Sequence, residues 1–445
     1  ASTHRLHKES HQVLDLEQMF QSITKYSSRL LTPDVINEVV RKAFKLAQTE
    51  KTGATFIEFP ENIAEMEIDD KPLYVKQPTS PEPPMEKVEH AAKIISDARN
   101  PIILAGNGVI RNKAWQQLAD FAKRLRIPVA NTFMAQGVVP FKHTMALGSA
   151  GLQANDYVSC GFNKADVIIC IGYDLVEYHP FLWHPTQDRT IIHIDQSPAE
   201  VDAYYSVEVG VVGDIKHSLL RIMEISTPST ANAMRALRKA VIEDMNQHKD
   251  DNSVPMKPQK IIWDLRTAMA LEDIAISDVG AHKMWMARMF RCEFPNTCLI
   301  SNGFASMGIA VPGAIGAKLA LPDRRVVAVT GDAGFMMNSQ EIETALRYNI
   351  PFVILIWNDN GYGLIEWKQM NDFGRPSNIK VNNPDFVQYA LSFGAKGYRI
   401  ENGEDLLPTL KKALADNTVS IIDCPVDYSE NLKLTAKLGE MICPV

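Results

Sequence analysis

Val326-Val327-Ala328-Val329-Thr330-Gly331-Asp332-Ala333-Gly334-Phe335 and Phe352-Val353-Ile354-Leu355-Ile356-Trp357-Asn358-Asp359-Asn360-Gly361-Tyr362 are apolar runs that each close on a polar, glycine-bearing loop. Unbroken aliphatic residues suit strands buried on both faces, as in a parallel sheet covered by helices. Ligands of such sheets sit outside the strand carboxyl ends, which is where Asp332 and Asp359 fall. Gly331 and Gly334 let backbone approach a phosphate, and a helix starting there aims its N-terminus at the anion. Two hard carboxylates, with diphosphate oxygens and water, complete the oxygen set that octahedral Mg²⁺ requires. A lone Gly-Asp is commonly a helix cap, so the paired arrangement carries the metal reading.

Outward from these runs the same alternation of strand and amphipathic stretch continues, which predicts an α/β fold of three doubly wound parallel-sheet domains. In the third, residues 257–445, strands are expected near 273–277, 325–330, 352–357 and 419–424. In the central domain, residues 85–227, they are expected near 101–105, 127–130, 166–171 and 190–194. Residues 225–256 read as a polar helix and loop joining the two, and the Pro-rich stretch 77–85 reads as a linker. The first domain, residues 1–76, offers one clear strand at 54–60 after a helix whose start is signalled by Thr32-Pro33-Asp34. Roughly 75 residues with one strand are too few for a parallel-sheet domain, so this part is expected to be an incomplete remnant.

Composition narrows the function. The 445 residues are 46% hydrophobic and 22% charged with a net charge of -7, which suits a globular chain and argues against a general nucleic-acid binder. The longest apolar run, around Pro351–Trp357, is far short of the ~20 residues that span a bilayer, and the polar start Ala1–Ser10 shows no signal-peptide core. Cys160, Cys170, Cys292, Cys298, Cys424 and Cys443 form no Cys-x-x-Cys pair and read as reduced thiols of a cytoplasmic protein; the histidines show no zinc spacing.

Gly331-Asp332-Ala333 followed by Asn358-Asp359 resembles the Gly-Asp-Gly…Asn-Asn signature of thiamine diphosphate enzymes. The resemblance implies that Asp332, Asp359 and the Gly361 carbonyl hold the metal, with Gly331, Ala333, Gly334 and Tyr362 near the cofactor. Ala333 stands where glycine is usual, and Asp359 where the family has asparagine. Asp278-Val279-Gly280-Ala281-His282 resembles the loop meeting diphosphate and aminopyrimidine, which adds Gly280, Ala281 and His282. Asn302-Gly303 and Met307 lie in a segment similar to the one whose bulky residue wedges between the cofactor rings; on that match Met307 is the wedge. Without the flanking motif, Met307 would read as a core methionine.

Residues 170–180 and 424–431 are similar to the acetolactate synthase branch, particularly its catabolic, FAD-independent members. That likeness implies decarboxylation of pyruvate on thiamine diphosphate and transfer of the two-carbon unit to a second pyruvate, giving 2-acetolactate and CO₂. It further implies Mg²⁺, no FAD, a homodimer or homotetramer in the cytoplasm, and neither nucleic-acid nor membrane partners. Leu364, Ile365 and Lys368 are expected to line the substrate pocket, with Lys368 departing from the family's Gln or Trp. The family's essential glutamate would lie upstream of Ala1. Gly106-Asn107-Gly108 is compatible with a nucleotide, but Gly172-Tyr173-Asp174-Leu175 looks like the flavin-free group. Another 2-oxo acid decarboxylase or carboligase, or a non-catalytic cofactor-binding subunit, stay open as alternatives. A nicotinamide dehydrogenase is distant because no Gly-x-Gly-x-x-Gly follows an early strand.

Overall fold

The computed structural model describes residues 1–75, 79–151, 157–230 and 233–431. Linker residues 77 and 78 and Cys443 lie outside them. The chain divides into two compact units, Ala1–Pro81 and Glu82–Val445.

The first unit pairs β1 (Tyr26–Arg29) with β2 (Thr55–Glu58) in parallel, so it holds two strands where the sequence showed one. β1 is Tyr-Ser-Ser-Arg and half-buried throughout, and a strand of that composition carries no apolar signal. The helix Ile36–Gln48 starts after a 3₁₀ turn at Pro33–Val35, and Thr32 makes no side-chain cap. Leu30, Ala43 and Ile63 are the buried apolar residues among those described in this unit.

The second unit is built on two six-stranded, all-parallel sheets. The central sheet comprises β3 (Pro101–Ala105), β4 (Val129–Asn131), β5 (Ala146–Ser149), β6 (Val167–Ile171), β7 (Thr190–Asp195) and β8 (Val207–Val212), in spatial order β5-β4-β3-β6-β7-β8. The C-terminal sheet comprises β9 (Ile274–Ser277), β10 (Cys298–Ile300), β11 (Val326–Gly331), β12 (Val353–Asn358), β13 (Lys396–Arg399) and β14 (Ser420–Pro425), in order β10-β9-β11-β12-β14-β13.

Each sheet is covered by apolar layers on both faces, which is why its inner strands read as unbroken hydrophobic runs. Strand order reverses between β3 and β6 in one sheet and between β9 and β11 in the other. A crevice opens at such a switch point unless something fills it. The loop between β4 and β5 packs on the helix Ala281–Met289 and the loop after it: Gln136 Nε2 donates to the Ala287 carbonyl at 2.8 Å, and a Cβ on Gly137 would lie 2.1 Å from the Phe294 carbonyl. Among the described residues no helix is long and apolar enough to cross a membrane. Cys170, Cys292, Cys298 and Cys424 are buried free thiols and Cys160 is half-buried.

Candidate active site

The C-terminal switch point holds an open cavity of about 510 Å³. Its walls come from the loop after β9, the ends of β11 and β12, and the helix Gly363–Phe373 that follows. Gly280, Ala281, His282, Met307, Gly331, Asp332, Ala333, Gly334, Asp359, Gly361, Tyr362, Leu364 and Ile365 all line it. Thus residues from four separate stretches of sequence, singled out for cofactor, metal or substrate, meet around one space.

Asp332 is fully buried. One carboxylate oxygen accepts from the Ala333 N–H at 2.8 Å; the other accepts from Gly361 N–H at 3.2 Å and Asn383 Nδ2 at 2.6 Å. Burial nevertheless raises its pKa, since those bonds only partly replace lost hydration. Asp359 is pushed up to about 7, first by burial and then by the charge of Asp332, with Lys380 opposing. Two acids brought together out of water are costly as a pair of anions, and a divalent cation between them removes both penalties. Among the described residues no cluster of three or more His, Cys, Asp or Glu side chains forms, so a metal here would draw on two carboxylates and backbone oxygen. Gly361 sits tightly beside them: a Cβ would lie 2.9 Å from the Ile379 carbonyl.

His282 forms the opposite wall. Burial lowers its pKa to about 4, and its Nε2 is buried without a hydrogen-bond partner. A neutral imidazole that lines the cavity and keeps a buried nitrogen without a partner fits a site built for a polar ligand. Gly280 makes room for it, because a Cβ there would meet the ring at 2.8 Å. The helix Ala281–Met289 begins at the same point and aims its N-terminal amides toward the space. Ala333, in the position where the family has glycine, is buried at the cavity edge.

Three of the expected residues lie outside the lining. Asn302 bridges instead, accepting from Lys283 Nζ at 2.8 Å and donating to the Glu177 carbonyl at 2.9 Å. Gly303 is exposed, with φ +75° in the left-handed region. Lys368 is exposed one turn beyond Leu364 and Ile365 and does not line the cavity. Sequence reasoning missed Tyr428, Asn383 and Lys380. Tyr428 lines the cavity, stacks on Trp357 at 6.3 Å and also borders a second cavity of about 1170 Å³ that shares Asp359 and Gly363. Asn383 and Lys380 arrive on a loop whose only local sign was its polarity.

The central switch point is closed. Gly106 N–H donates to the Ile171 carbonyl at 2.9 Å and Gly108 N–H to the Gly172 carbonyl at 2.8 Å. A Cβ on Gly106 would lie 2.4 Å from the Gly172 carbonyl, and one on Gly172 (φ +58°) 2.4 Å from Val109 N. The glycines therefore serve backbone-to-backbone packing. Glu177 accepts the Asn107 N–H at 3.0 Å and the Thr132 hydroxyl, so an internal carboxylate stands on the amide that follows β3. Burial pushes Glu177 up to about 7.

A doubly wound sheet presenting paired buried acids and glycine-lined backbone to an open crevice defines a domain for a diphosphate-bearing cofactor held through a divalent cation. Comparison with known proteins agrees. Residues 278–424 match the family described as "Thiamine pyrophosphate enzyme, C-terminal TPP binding domain", and residues 88–222 match "Thiamine pyrophosphate enzyme, central domain". The chain is 34% identical to "Acetolactate synthase" of Bacillus subtilis (strain 168) over 450 residues, covering 98% of this chain and 78% of that protein. It is 33% identical to "Probable acetolactate synthase large subunit" of Methanococcus aeolicus, covering 97% and 77%. It is 32% identical to "Acetolactate synthase, catabolic" of Raoultella terrigena, covering 96% and 78%. The chain belongs to the thiamine pyrophosphate enzyme family, within the acetolactate synthase branch.

Proposed function

We propose that this protein is an acetolactate synthase, a thiamine diphosphate-dependent carboligase that joins two pyruvates with loss of CO₂. The observation that carries this is the cavity at the β9–β11 switch point, where Asp332 and Asp359 meet beside Gly280, His282 and Gly331 in a chain so similar to acetolactate synthases. Asp332, Asp359 and the Gly361 carbonyl would hold Mg²⁺, and the Gly280–His282 and Gly331–Gly334 backbones would take the diphosphate. When bound, thiamine diphosphate supplies the electron sink that decarboxylation of a 2-oxo acid requires. The chain itself contributes orientation and exclusion of water: Met307, Leu364, Ile365 and Tyr428 give the cavity apolar lining. His282 would stay neutral at working pH and offer its free Nε2 to the ligand.

We also infer that no FAD is bound. Glu177 already stands on the amide after β3, and the Gly106–Gly172 contact leaves no crevice for a nucleotide there. Purified protein should show no flavin absorbance, and stoichiometric FAD released on denaturation would overturn this. Homo-oligomerisation is supported by apolar side chains left in water: Phe304 is 92% exposed, Leu319 65% and Met337 44%. A cytoplasmic location is supported by the buried, unpaired thiols.

Product analysis tests the main reading. Incubation with pyruvate, thiamine diphosphate and Mg²⁺ should yield 2-acetolactate and CO₂. Acetaldehyde or a different acyloin as the main product would make the protein another 2-oxo acid decarboxylase or carboligase. Cofactor binding without turnover, in a chain extended to the full length of its relatives, would make it a non-catalytic subunit.

A further inference from the structure

Met307 reaches the cavity from a loop, and the residue after it is held on both sides by side chains from elsewhere. Asp278, buried at the end of β9, accepts the Gly308 N–H on Oδ1 at 2.8 Å and the Ala310 N–H on Oδ2 at 2.9 Å. Asn338, which closes the helix Asp332–Met337, donates its Nδ2 to the Gly308 carbonyl at 2.9 Å. Both peptide groups of Gly308 are therefore fixed, one by each wall of the candidate diphosphate and metal site. Neither Asp278 nor Asn338 lines the cavity.

The glycines fit this arrangement closely. Gly308 has φ +83°, and a Cβ there would lie 2.7 Å from Asn338 Nδ2 and 3.0 Å from Met337 Cβ. A Cβ on Gly334 would lie 3.2 Å from Asp278 Oδ1 and 3.3 Å from Thr330 Oγ1. Gly334 thus leaves room for the Asp278 carboxylate as well as for any phosphate.

We propose that Asp278 and Asn338 are positioning residues, which clamp Gly308 so that Met307 is held at a fixed height above the floor formed by Gly280 and Gly331–Gly334. The proposal rests on reading the cavity as the thiamine diphosphate site. It predicts a mechanical link: the loop that anchors diphosphate and the helix that begins at a metal ligand both set where Met307 stands. The competing account is a plain helix cap, since Asp278 also satisfies the Ala310 amide at the start of the helix Ala310–Ala320.

Asn338→Ala and Asp278→Asn separate the two accounts. Asn338 is half-buried and its loss leaves the helix amides capped, so this variant should fold even where Asp278→Asn does not. In the cofactor-free protein, amide hydrogen exchange over residues 304–311 should accelerate about tenfold or more in Asn338→Ala. Thiamine diphosphate affinity with Mg²⁺, read by calorimetry, should stay within about threefold of wild type, while kcat for pyruvate in a chain extended to the full length of its relatives falls about tenfold with little change in KM. Unchanged amide exchange in Asn338→Ala would overturn the clamp. So would a lowered melting temperature with kcat intact in Asp278→Asn, which is the signature of a cap alone. Should wild type fail to make acetolactate, the functional reading falls, yet the exchange and affinity measurements still decide the clamp.

Discussion

Between β9 and β11 the strand ends stand apart around two buried acids, whereas between β3 and β6 the equivalent turn is shut by backbone packed on backbone. Both sheets are six-stranded, parallel and covered on both faces, and both place glycines after a strand at the point where the order reverses. The difference is what each glycine makes room for. Gly280 and Gly334 accommodate side chains, the His282 imidazole that lines the cavity and the Asp278 carboxylate behind it. Gly106 and Gly172 accommodate one another's main chain. Charge follows the same division: Asp332 and Asp359 repel across an open space, while Glu177 is hydrogen-bonded within its own domain. A glycine-rich strand end is therefore a binding site only where the space it creates is left unfilled by the protein itself.

The closed side gives the largest expected effect. Gly172→Ala places a methyl 2.4 Å from Val109 N at a left-handed φ of +58°, so backbone must shift as well as strain. Urea denaturation should show a loss of about 4 kcal/mol or more. A loss under about 1 kcal/mol would mean that the turn is looser than described and the comparison weaker.

Glu177 offers a second way to sharpen the contrast. Its folded pKa near 7 lies above the ordinary 4.5, so between these values the folded chain keeps a proton that the unfolded chain has released. Stability from this group is therefore lost as pH rises through that window, and the penalty is complete above about 7. Glu177→Gln removes the dependence. The variant should gain on wild type by ~1–3 kcal/mol between pH 4.5 and 7.5. A constant difference across that range would show that Glu177 stays ionised.

The smallest effect concerns Met307 on the open side. Met307→Ala should leave thiamine diphosphate affinity within about threefold while slowing hydrogen–deuterium exchange at C2 of the bound cofactor about tenfold, in a chain extended to the full length of its relatives. Normal C2 exchange with only a lower melting temperature would return Met307 to the role of a packing residue.

The same physics explains what could be read in the sequence. The inner strands β3, β4, β6, β7, β9, β11, β12 and β14 lie within a residue or two of their expected places, because burial on both faces demands unbroken apolar runs. The strands missed in these sheets, β5, β8, β10 and β13, are the four sheet edges. An edge strand needs less apolar surface: β13 is Lys-Gly-Tyr-Arg, and β8 carries Glu208 and Gly210. At the site, Asp332 and Asp359 were legible because each follows its own strand. Asn383 and the clamping role of Asp278 were not, since both depend on which distant loop arrives at a strand end. Lys368 is expected in the pocket from its place in the stretch 362–369, yet it is exposed one turn beyond Leu364 and outside the cavity lining.

Calorimetric titration of thiamine diphosphate into wild type and Asp332→Ala, each with and without Mg²⁺, tests the central claim most directly. The open switch point predicts binding to wild type that requires Mg²⁺, and a loss of about 100-fold or more in Asp332→Ala, because one hard ligand and the neutralised pair disappear together. Undiminished affinity in Asp332→Ala, or Mg²⁺-independent binding to wild type, would contradict the assignment of this cavity as the cofactor and metal site.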